Sequence, residues 1–222
     1  MTQPITAELA ETITKLVLEE LSKVGLAPSG EPQKYVPVGI SARHVHVNRA
    51  HLDALFGQGY ELSKFKDISQ PGQFAANEQV TLIGPKGKIE KVRILGPLRK
   101  DTQAEVAPSD ARRLGVNPPV SQSGVHHGTS GITLVGPKGT VVIDQGCIIA
   151  ERHIHMTLAD AEAFGVRNGQ KVQVKIGGPR GGLMDEVMIR VRDDFALDMH
   201  IDTDDGNAFG LETGDIVEII KS

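Results

Sequence analysis

Apolar residues recur at steps of three and four along residues 4–25, and this spacing predicts an amphipathic helix. The apolar stripe consists of Ile5, Leu9, Ile13, Leu16, Val17, Leu21 and Val24. Thr6 is a suitable N-cap, and Gly25 is a suitable C-terminal stop. Residues 27–35, which contain Pro and Gly, are typical of a linker. The helical segment, residues 1–26, either packs on its own subunit or a symmetry mate, or docks on another protein.

From Val36 onward the pattern changes to short β-branched runs separated by turn residues, which predicts strands. The segments VTLIGPKGKIEKVRIL and ITLVGPKGTVVID each predict a β-hairpin with a Gly-Pro-Lys-Gly turn. The segment VQVKIGGPRGGLMDEVMIRV predicts a third hairpin with a longer turn. Helical signals are brief, at residues 48–56 and 157–164, and each opens with an N-capping residue. The body is therefore expected to be mainly β.

The body also contains an internal duplication. The stretches ISARHVHVNRAHLDALFG, residues 40–57, and IIAERHIHMTLADAEAFG, residues 148–165, both place His-x-His just before a helix start. Further along, EVAPSDARRLG, which begins at Glu105, aligns without a gap with HIDTDDGNAFG, which begins at His200. Each half therefore has a histidine pair, a short helix, a hairpin and one further potential metal ligand.

This duplication predicts two similar small β-barrel domains with short helical caps, at residues 36–120 and 121–222. Closed barrels fit the strand lengths and leave no exposed edges, although an open sandwich would also fit. The pattern also allows the two domains to exchange strands.

Composition and charge narrow the function classes. The chain has 222 residues, 39% of them apolar, which is enough for a sizeable core in one or two domains. A formal net charge of −4 offers no basic surface of the kind that neutralises nucleic-acid phosphates. No apolar run reaches the roughly 20 residues of a membrane helix, and the N-terminus lacks a secretory-signal pattern. The single cysteine, Cys147, excludes an intramolecular disulfide. We expect a cytoplasmic protein that binds neither nucleic acid nor membrane.

The duplicated histidines indicate metal binding. Four of the eight histidines lie in the pairs His44/His46 and His153/His155. Residues two apart in a strand point to the same face, so both imidazoles of a pair can reach one ion, whereas on a helix they would diverge. Adding the aligned third residue gives two sets: His44, His46 and Glu105 in one half, and His153, His155 and His200 in the other.

Two His plus one Glu, and three His, are both ligand sets of catalytic zinc, where three protein ligands leave a position for water or substrate. A lone His-x-His would more often be a surface or hydrogen-bonded pair, but two copies in matching frames favour metal binding. Zinc is the expected ion, and cobalt, nickel or iron would suit the same sets. The sequence therefore predicts two divalent ions per chain.

The sequence does not assign a single role to the other candidate residues. Arg99, six residues before Glu105, either brings a guanidinium near the metal to bind phosphate or carboxylate, or belongs to a solvated charged loop. Cys147 lies among apolar residues, which favours packing over reactivity, and Ser41 has no evident general base. Three histidines have no repeat partner and are interpreted as solvated or loop residues: His51, His126 and His127.

Five segments together resemble one family closely: ISARHVHV, GPLRKDTQAEV, GITLVGPKG, AERHIHMTLADA and DMHIDTDDGNA. They are similar to the phosphate propanoyltransferases of the PduL type, the phosphotransacylases associated with bacterial microcompartments. The resemblance runs from about Val36 to the C-terminus. It implies interconversion of acyl-CoA (propanoyl-CoA or acetyl-CoA) plus inorganic phosphate with acyl phosphate plus CoA. It also implies two β-barrel domains with helical caps and a dinuclear metal site, usually zinc.

The resemblance also implies roles for particular residues. It gives one ion to His44, His46 and Glu105 and the other to His153, His155 and His200, in agreement with the repeat. It implies that Arg99 takes part in phosphate handling. The helix at residues 1–26 looks like an encapsulation peptide, which implies docking on shell or core proteins inside a microcompartment. A homo-oligomer is expected, and the segment SGVHHGTSG has no role that the resemblance explains.

Direct attack of phosphate on the thioester is the expected mechanism, because no activated side-chain nucleophile is evident. In this hypothesis the ion of the first set receives the CoA sulfur, while the ion of the second set and Arg99 bind phosphate. The main alternative is a dinuclear metallohydrolase that acts on an ester or phosphoester. A non-catalytic, metal-stabilised scaffold is a further alternative, and it predicts closed four-ligand sites.

Overall fold

The structure is a computed structural model, and it describes residues 34–220. Its strands are β1 (Tyr35–Ser41), β2 (His44–His46), β3 (Lys64–Asp67), β4 (Phe74–Ile83), β5 (Lys88–Gly96), β6 (Gln103–Glu105), β7 (Val120–Ser121), β8 (Ser130–Val135), β9 (Thr140–Ala150), β10 (His153–Met156), β11 (Lys171–Ile176), β12 (Gly182–Val191), β13 (Asp198–Asp202) and β14 (Ile216–Ile220). Its helices are α1 (Arg49–Phe56), α2 (Pro108–Leu114), α3 (Leu158–Phe164) and α4 (Thr203–Phe209). The helix predicted within residues 1–26 lies outside the described residues.

The strands form two closed six-stranded β-barrels. In the first barrel the pairing runs β4-β5-β2-β6-β9-β8 and returns from β8 to β4. Strand β3 pairs with β4 and strand β7 pairs with β9 outside this ring. In the second barrel the ring is β1-β13-β10-β12-β11-β14. The predicted fold class is therefore confirmed, and both sheets close instead of forming an open sandwich.

Each barrel contains the strand that precedes the histidine pair of the other barrel. Strand β1 runs into the first pair but hydrogen-bonds to β13 and β14, and β9 runs into the second pair but hydrogen-bonds to β6 and β8. Val36 and Val38 are accordingly buried in the second core, and Cys147 is buried in the first. This arrangement differs from the boundary predicted at 120/121, because the hairpin β8–β9 stays with the first barrel and completes its core.

The repeated Gly-Pro-Lys-Gly turns dock against helix ends. The N–H of Lys86 donates to the carbonyl of Leu114 at the end of α2 (2.9 Å), and the N–H of Lys138 donates to the carbonyl of Leu55 in α1 (3.0 Å). The last carbonyls of a helix lack intrahelical partners, so these contacts satisfy them. A Cβ on Gly84 would lie 2.3 Å from the Leu114 oxygen, which explains why this turn begins with glycine. The turns thus fasten two helical caps to the first barrel.

Two of the four helices were predicted and two were not. The predicted helices α1 and α3 begin at the N-caps Asn48 and Thr157, as expected. The helices α2 and α4 have seven residues each, the same length as the predicted α3, so length does not explain why they were missed. Their local signals are Pro108 in the first turn of α2 and the Asp202 side chain, which caps α4. Within residues 34–220, no helix is both long enough and apolar enough to cross a membrane.

Candidate active site

Strand register places the third residue of each predicted ligand set beside the first. Strand β2 carries the first histidine pair, and its antiparallel partner β6 places Glu105 opposite His44. In the second barrel, β13 places His200 opposite His153 of β10. The alignment of Glu105 with His200 in the sequence therefore corresponds to the same cross-strand pair in both barrels.

The six residues form two clusters that line one cavity. Within each cluster the candidate ligand atoms lie within 4.8 Å of one another. The clusters are His44, His46 and Glu105 in the first barrel, and His153, His155 and His200 in the second. The cavity has a volume of about 500 Å³, and residues of both barrels line it. Two candidate three-ligand sets therefore share one space that is large enough for a small substrate group.

Backbone carbonyls fix the orientation of the first histidine of each pair. His44 Nδ1 lies 2.9 Å from the carbonyl oxygen of Ala42. His153 Nδ1 lies 2.7 Å from the carbonyl oxygen of Glu151, again two residues earlier in the chain. When Nδ1–H donates to a carbonyl, the Nε2 lone pair is left for a metal ion. The same local geometry thus prepares one donor in each barrel.

The other two histidines of the second cluster are held differently. His200 Nε2 lies 3.0 Å from Asp198 Oδ2, an arrangement typical of histidines that bind metals. The His155 ring packs on Phe195 with a centroid distance of 4.1 Å. Its Nδ1 is buried and has no hydrogen-bond partner within the described residues. An unsatisfied buried nitrogen costs about 1–3 kcal/mol, and a metal ion bound through Nδ1 would remove that cost.

Burial keeps three of the imidazoles neutral at physiological pH. Burial, together with the charge on His44, lowers the pKa of His46 to about 3. Burial and His200 lower the pKa of His153 to about 4. Burial and His153 lower the pKa of His155 to about 2. Neutral imidazole is the form that binds metal ions, so these side chains are ready to act as ligands.

Glu105 supplies a negative charge to the first cluster. Its Oε2 lies 3.4 Å from His44 Nε2, and both side chains are buried. Burial alone would raise the pKa of Glu105, but the charge on His44 outweighs burial and holds the pKa of Glu105 well below its usual range. Burial likewise opposes the charged form of His44, yet the attraction of Glu105 raises the pKa of His44. The donor types in both clusters fit a zinc-like divalent cation.

Two partly buried arginines, one from each barrel, also line the cavity. Arg99 follows β5, and its Nη1 donates to Ser123 Oγ at 2.8 Å. Arg190 projects from β12, and its guanidinium forms no ion pair with a carboxylate in residues 34–220. Burial lowers the pKa of Arg190, against the attraction of Glu105. A cation without an adjacent carboxylate, in a cavity, is suited to binding an anionic substrate.

Several residues of the cavity were not predicted: Arg43, Gln70, Ser123, Arg190, Arg192 and Phe195. Gln70, in the loop between β3 and β4, donates to the carbonyl of Ala196 (3.0 Å) and accepts from its N–H (3.2 Å). This clamp fixes the loop that carries Phe195 against His155. The two partners of the clamp are 126 residues apart, so no local pattern could reveal them.

The remaining sequence interpretations have mixed outcomes. Cys147 is buried in the first core, as expected, and burial raises the pKa of its thiol to about 12. His126 and His127 lie in the loop between β7 and β8, as expected. His51 lies in α1 and is partly exposed, and its Nδ1 lies 2.7 Å from Thr102 Oγ1.

Comparison with known proteins assigns the chain to a family. A family model described as phosphate propanoyltransferase matches residues 37–212, which is most of the chain. The chain belongs to the phosphate propanoyltransferase family. It therefore belongs to a family of acyltransferases, as the resemblance of its segments implied.

Individual phosphate propanoyltransferases are similar over most of their length. The phosphate propanoyltransferase of Thermotoga maritima is 55% identical over 185 residues, which cover 83% of this chain and 88% of the relative. That of Rhodopseudomonas palustris is 47% identical over 220 residues, and that of Lachnoclostridium phytofermentans is 50% identical over 211 residues. Each of the two alignments covers 95% of this chain and 97% of the relative.

Proposed function

We propose that the chain is a phosphotransacylase that interconverts acyl-CoA plus inorganic phosphate with acyl phosphate plus CoA. Propanoyl-CoA and acetyl-CoA are the proposed acyl donors. The single observation that carries the proposal is the convergence of two three-ligand clusters and two arginines on one cavity. Family membership and the names of the relatives support the same reaction.

The two clusters are proposed to hold two divalent cations, with zinc preferred. His44, His46 and Glu105 would bind one ion, and His153, His155 and His200 would bind the other. Bound there, such ions would supply Lewis acidity and positive charge to the acyl transfer. The unsatisfied Nδ1 of His155 and the neutral imidazoles support this assignment.

Arg99 and Arg190 are proposed to bind the substrate phosphate from opposite barrels. A guanidinium presents a planar fork of donors that matches phosphate oxygens and stays charged at all relevant pH values. Arg190 has no carboxylate partner among the described residues, and Arg99 contacts only a neutral hydroxyl through its Nη1. Both side chains are therefore available to an anion that enters the cavity.

In the forward reaction, a phosphate oxygen attacks the thioester carbonyl carbon directly. The new C–O bond forms, the C–S bond breaks, and the electron pair leaves on sulfur, which takes up the proton that hydrogen phosphate releases. The chain contributes by holding both reactants in one cavity, an effect that can reach about 7–11 kcal/mol in well-oriented systems. The burial and raised pKa of Cys147 support direct attack over an acyl-cysteine intermediate.

A thiol-release assay tests the proposed reaction. Purified metal-loaded protein is mixed with propanoyl-CoA or acetyl-CoA, with and without phosphate, and free CoA thiol is measured together with acyl phosphate. We expect thiol release that requires phosphate and matches acyl phosphate one to one. Thiol release without phosphate, or hydrolysis of acyl phosphate without CoA, would instead favour the metallohydrolase.

Residues 1–26 are proposed to dock the enzyme on shell or core proteins of a bacterial microcompartment. The support is the apolar stripe of the predicted helix and its similarity to encapsulation peptides. Deletion of these residues is expected to leave thiol release intact and to abolish co-sedimentation with assembled shells. A matched control replaces Glu11 and Glu19 outside the stripe by Gln, which should leave co-sedimentation unchanged. If deletion instead lowers the thermal unfolding midpoint and the activity together, the helix is structural.

A further inference from the structure

The segment SGVHHGTSG, residues 123–131, lies against the first ligand cluster. The side chain of Gln103 is buried, and its amide holds the backbone of this segment at two points. Its oxygen accepts from the N–H of Gly124 (2.9 Å), and its nitrogen donates to the carbonyl of Val125 (3.1 Å). Gln103 precedes Glu105 by two residues on β6. The segment is therefore fixed to the strand that carries a candidate ligand.

This attachment places the hydroxyl of Ser123 between two charged groups. Ser123 Oγ accepts from Arg99 Nη1 at 2.8 Å and lies 2.6 Å from Glu105 Oε1. A longer contact of 3.1 Å joins it to Gln103 Oε1. A hydroxyl has one proton, and the short contact with a charged carboxylate is the stronger hydrogen bond. Ser123 therefore accepts from Arg99 and donates to Glu105.

The hydroxyl separates a cation from an anion that attract each other. Glu105 is buried and Arg99 is partly buried, so solvent screens their attraction less than it would at the surface. Without the hydroxyl, the guanidinium is free to form a direct ion pair with Glu105. Such a pair would turn the guanidinium donors away from the substrate anion.

We propose that Ser123 is a positioning residue that holds Arg99 away from Glu105 and so keeps the guanidinium directed at the substrate phosphate. The inference rests on the proposed function of the cavity and adds a residue outside both ligand clusters. It also gives a role to a sequence segment that the family resemblance leaves unexplained.

The test compares Ser123→Ala with Ser123→Thr and with Ser121→Ala, a serine-to-alanine control two residues earlier. Ser123→Ala is expected to raise both the apparent KM and the calorimetric Kd for inorganic phosphate roughly tenfold. The KM for acyl-CoA and the thermal unfolding midpoint should stay at the values of the control. Ser123→Thr keeps the hydroxyl and should restore phosphate binding.

A double-mutant comparison separates this role from a merely structural one. In an Arg99→Ala background, Ser123→Ala should cause no further loss of phosphate affinity, because Ser123 acts through Arg99. Equal losses in both backgrounds, or phosphate constants that match the Ser121→Ala control, would overturn the inference while leaving the proposed function intact. Thiol release by the unsubstituted enzyme that does not require phosphate would instead overturn the proposed function.

Discussion

Replacement of both His153 and His155 by alanine is expected to leave one bound divalent ion per chain instead of two and to lower phosphate-dependent thiol release about a thousandfold. These residues supply two of the three donors of the second cluster, and His200 alone cannot hold an ion. The first cluster lies in the other barrel and keeps all its donors. Lewis-acid assistance contributes several kcal/mol to such reactions, and each 1.36 kcal/mol is a factor of ten in rate.

Metal content is measured by elemental mass spectrometry on protein that has been reconstituted with zinc and dialysed, and activity is measured on the same samples. The matched control is His126→Ala/His127→Ala, which removes two histidines that belong to neither ligand cluster. The control should retain two ions and full activity. Metal-free protein with full activity, or two ions retained in the double variant, would contradict the proposed centre.

Replacement of Arg99 by alanine is expected to raise the apparent KM for phosphate by about 10- to 100-fold while the KM for acyl-CoA changes little. A hydrogen bond to a charged group contributes about 1.5–3 kcal/mol, and each 1.4 kcal/mol corresponds to a factor of ten in affinity. Because the guanidinium lines the cavity and is partly buried, its loss removes both charge and directed donors. Arg99→Lys keeps the charge without the planar fork and should recover only part of the phosphate affinity.

The control for this experiment is Lys100→Ala, which removes an exposed positive charge next in the chain. Initial rates of thiol release are measured over a range of phosphate concentrations at saturating propanoyl-CoA. A phosphate dependence of Arg99→Ala equal to that of Lys100→Ala would remove Arg99 from phosphate binding.

Local patterns predicted the parts of the site that depend on neighbouring residues. A histidine pair in a strand is visible because its members are two residues apart, and the duplication connected each pair to Glu105 or His200. Contacts between distant segments left no such pattern. Ser123 reaches Arg99 across 24 residues, and Gln70 reaches Ala196 across 126 residues. These residues became recognisable only when the closed barrels placed them together.

The fold, like the site, was predicted where it depends on neighbouring residues and missed where it depends on distant ones. Hairpins and the helices α1 and α3 carry capping and turn residues that act locally, and their predictions are confirmed. Helices α2 and α4 were not predicted, although Pro108 in the first turn of α2 and the N-cap Asp202 of α4 are present in the sequence. Strands β1 and β9 join the barrel whose core their apolar side chains complete. That choice depends on the packing of the whole chain, so local patterns could not predict it.

The exchange of β1 and β9 gives the chain the architecture of a fused, domain-swapped dimer. Residues 35–135 and 140–220 are the two equivalent units, and each lends its first strand to the other. The Gly-Pro-Lys-Gly turn after β8 joins the two units. In the second barrel, β14 pairs with β1 in the same antiparallel way as β8 pairs with β9 in the first. Neither unit can close a ring from its own strands in this arrangement. Each barrel therefore depends on a strand of the other unit, and the two candidate ligand clusters line one cavity between strands of both units.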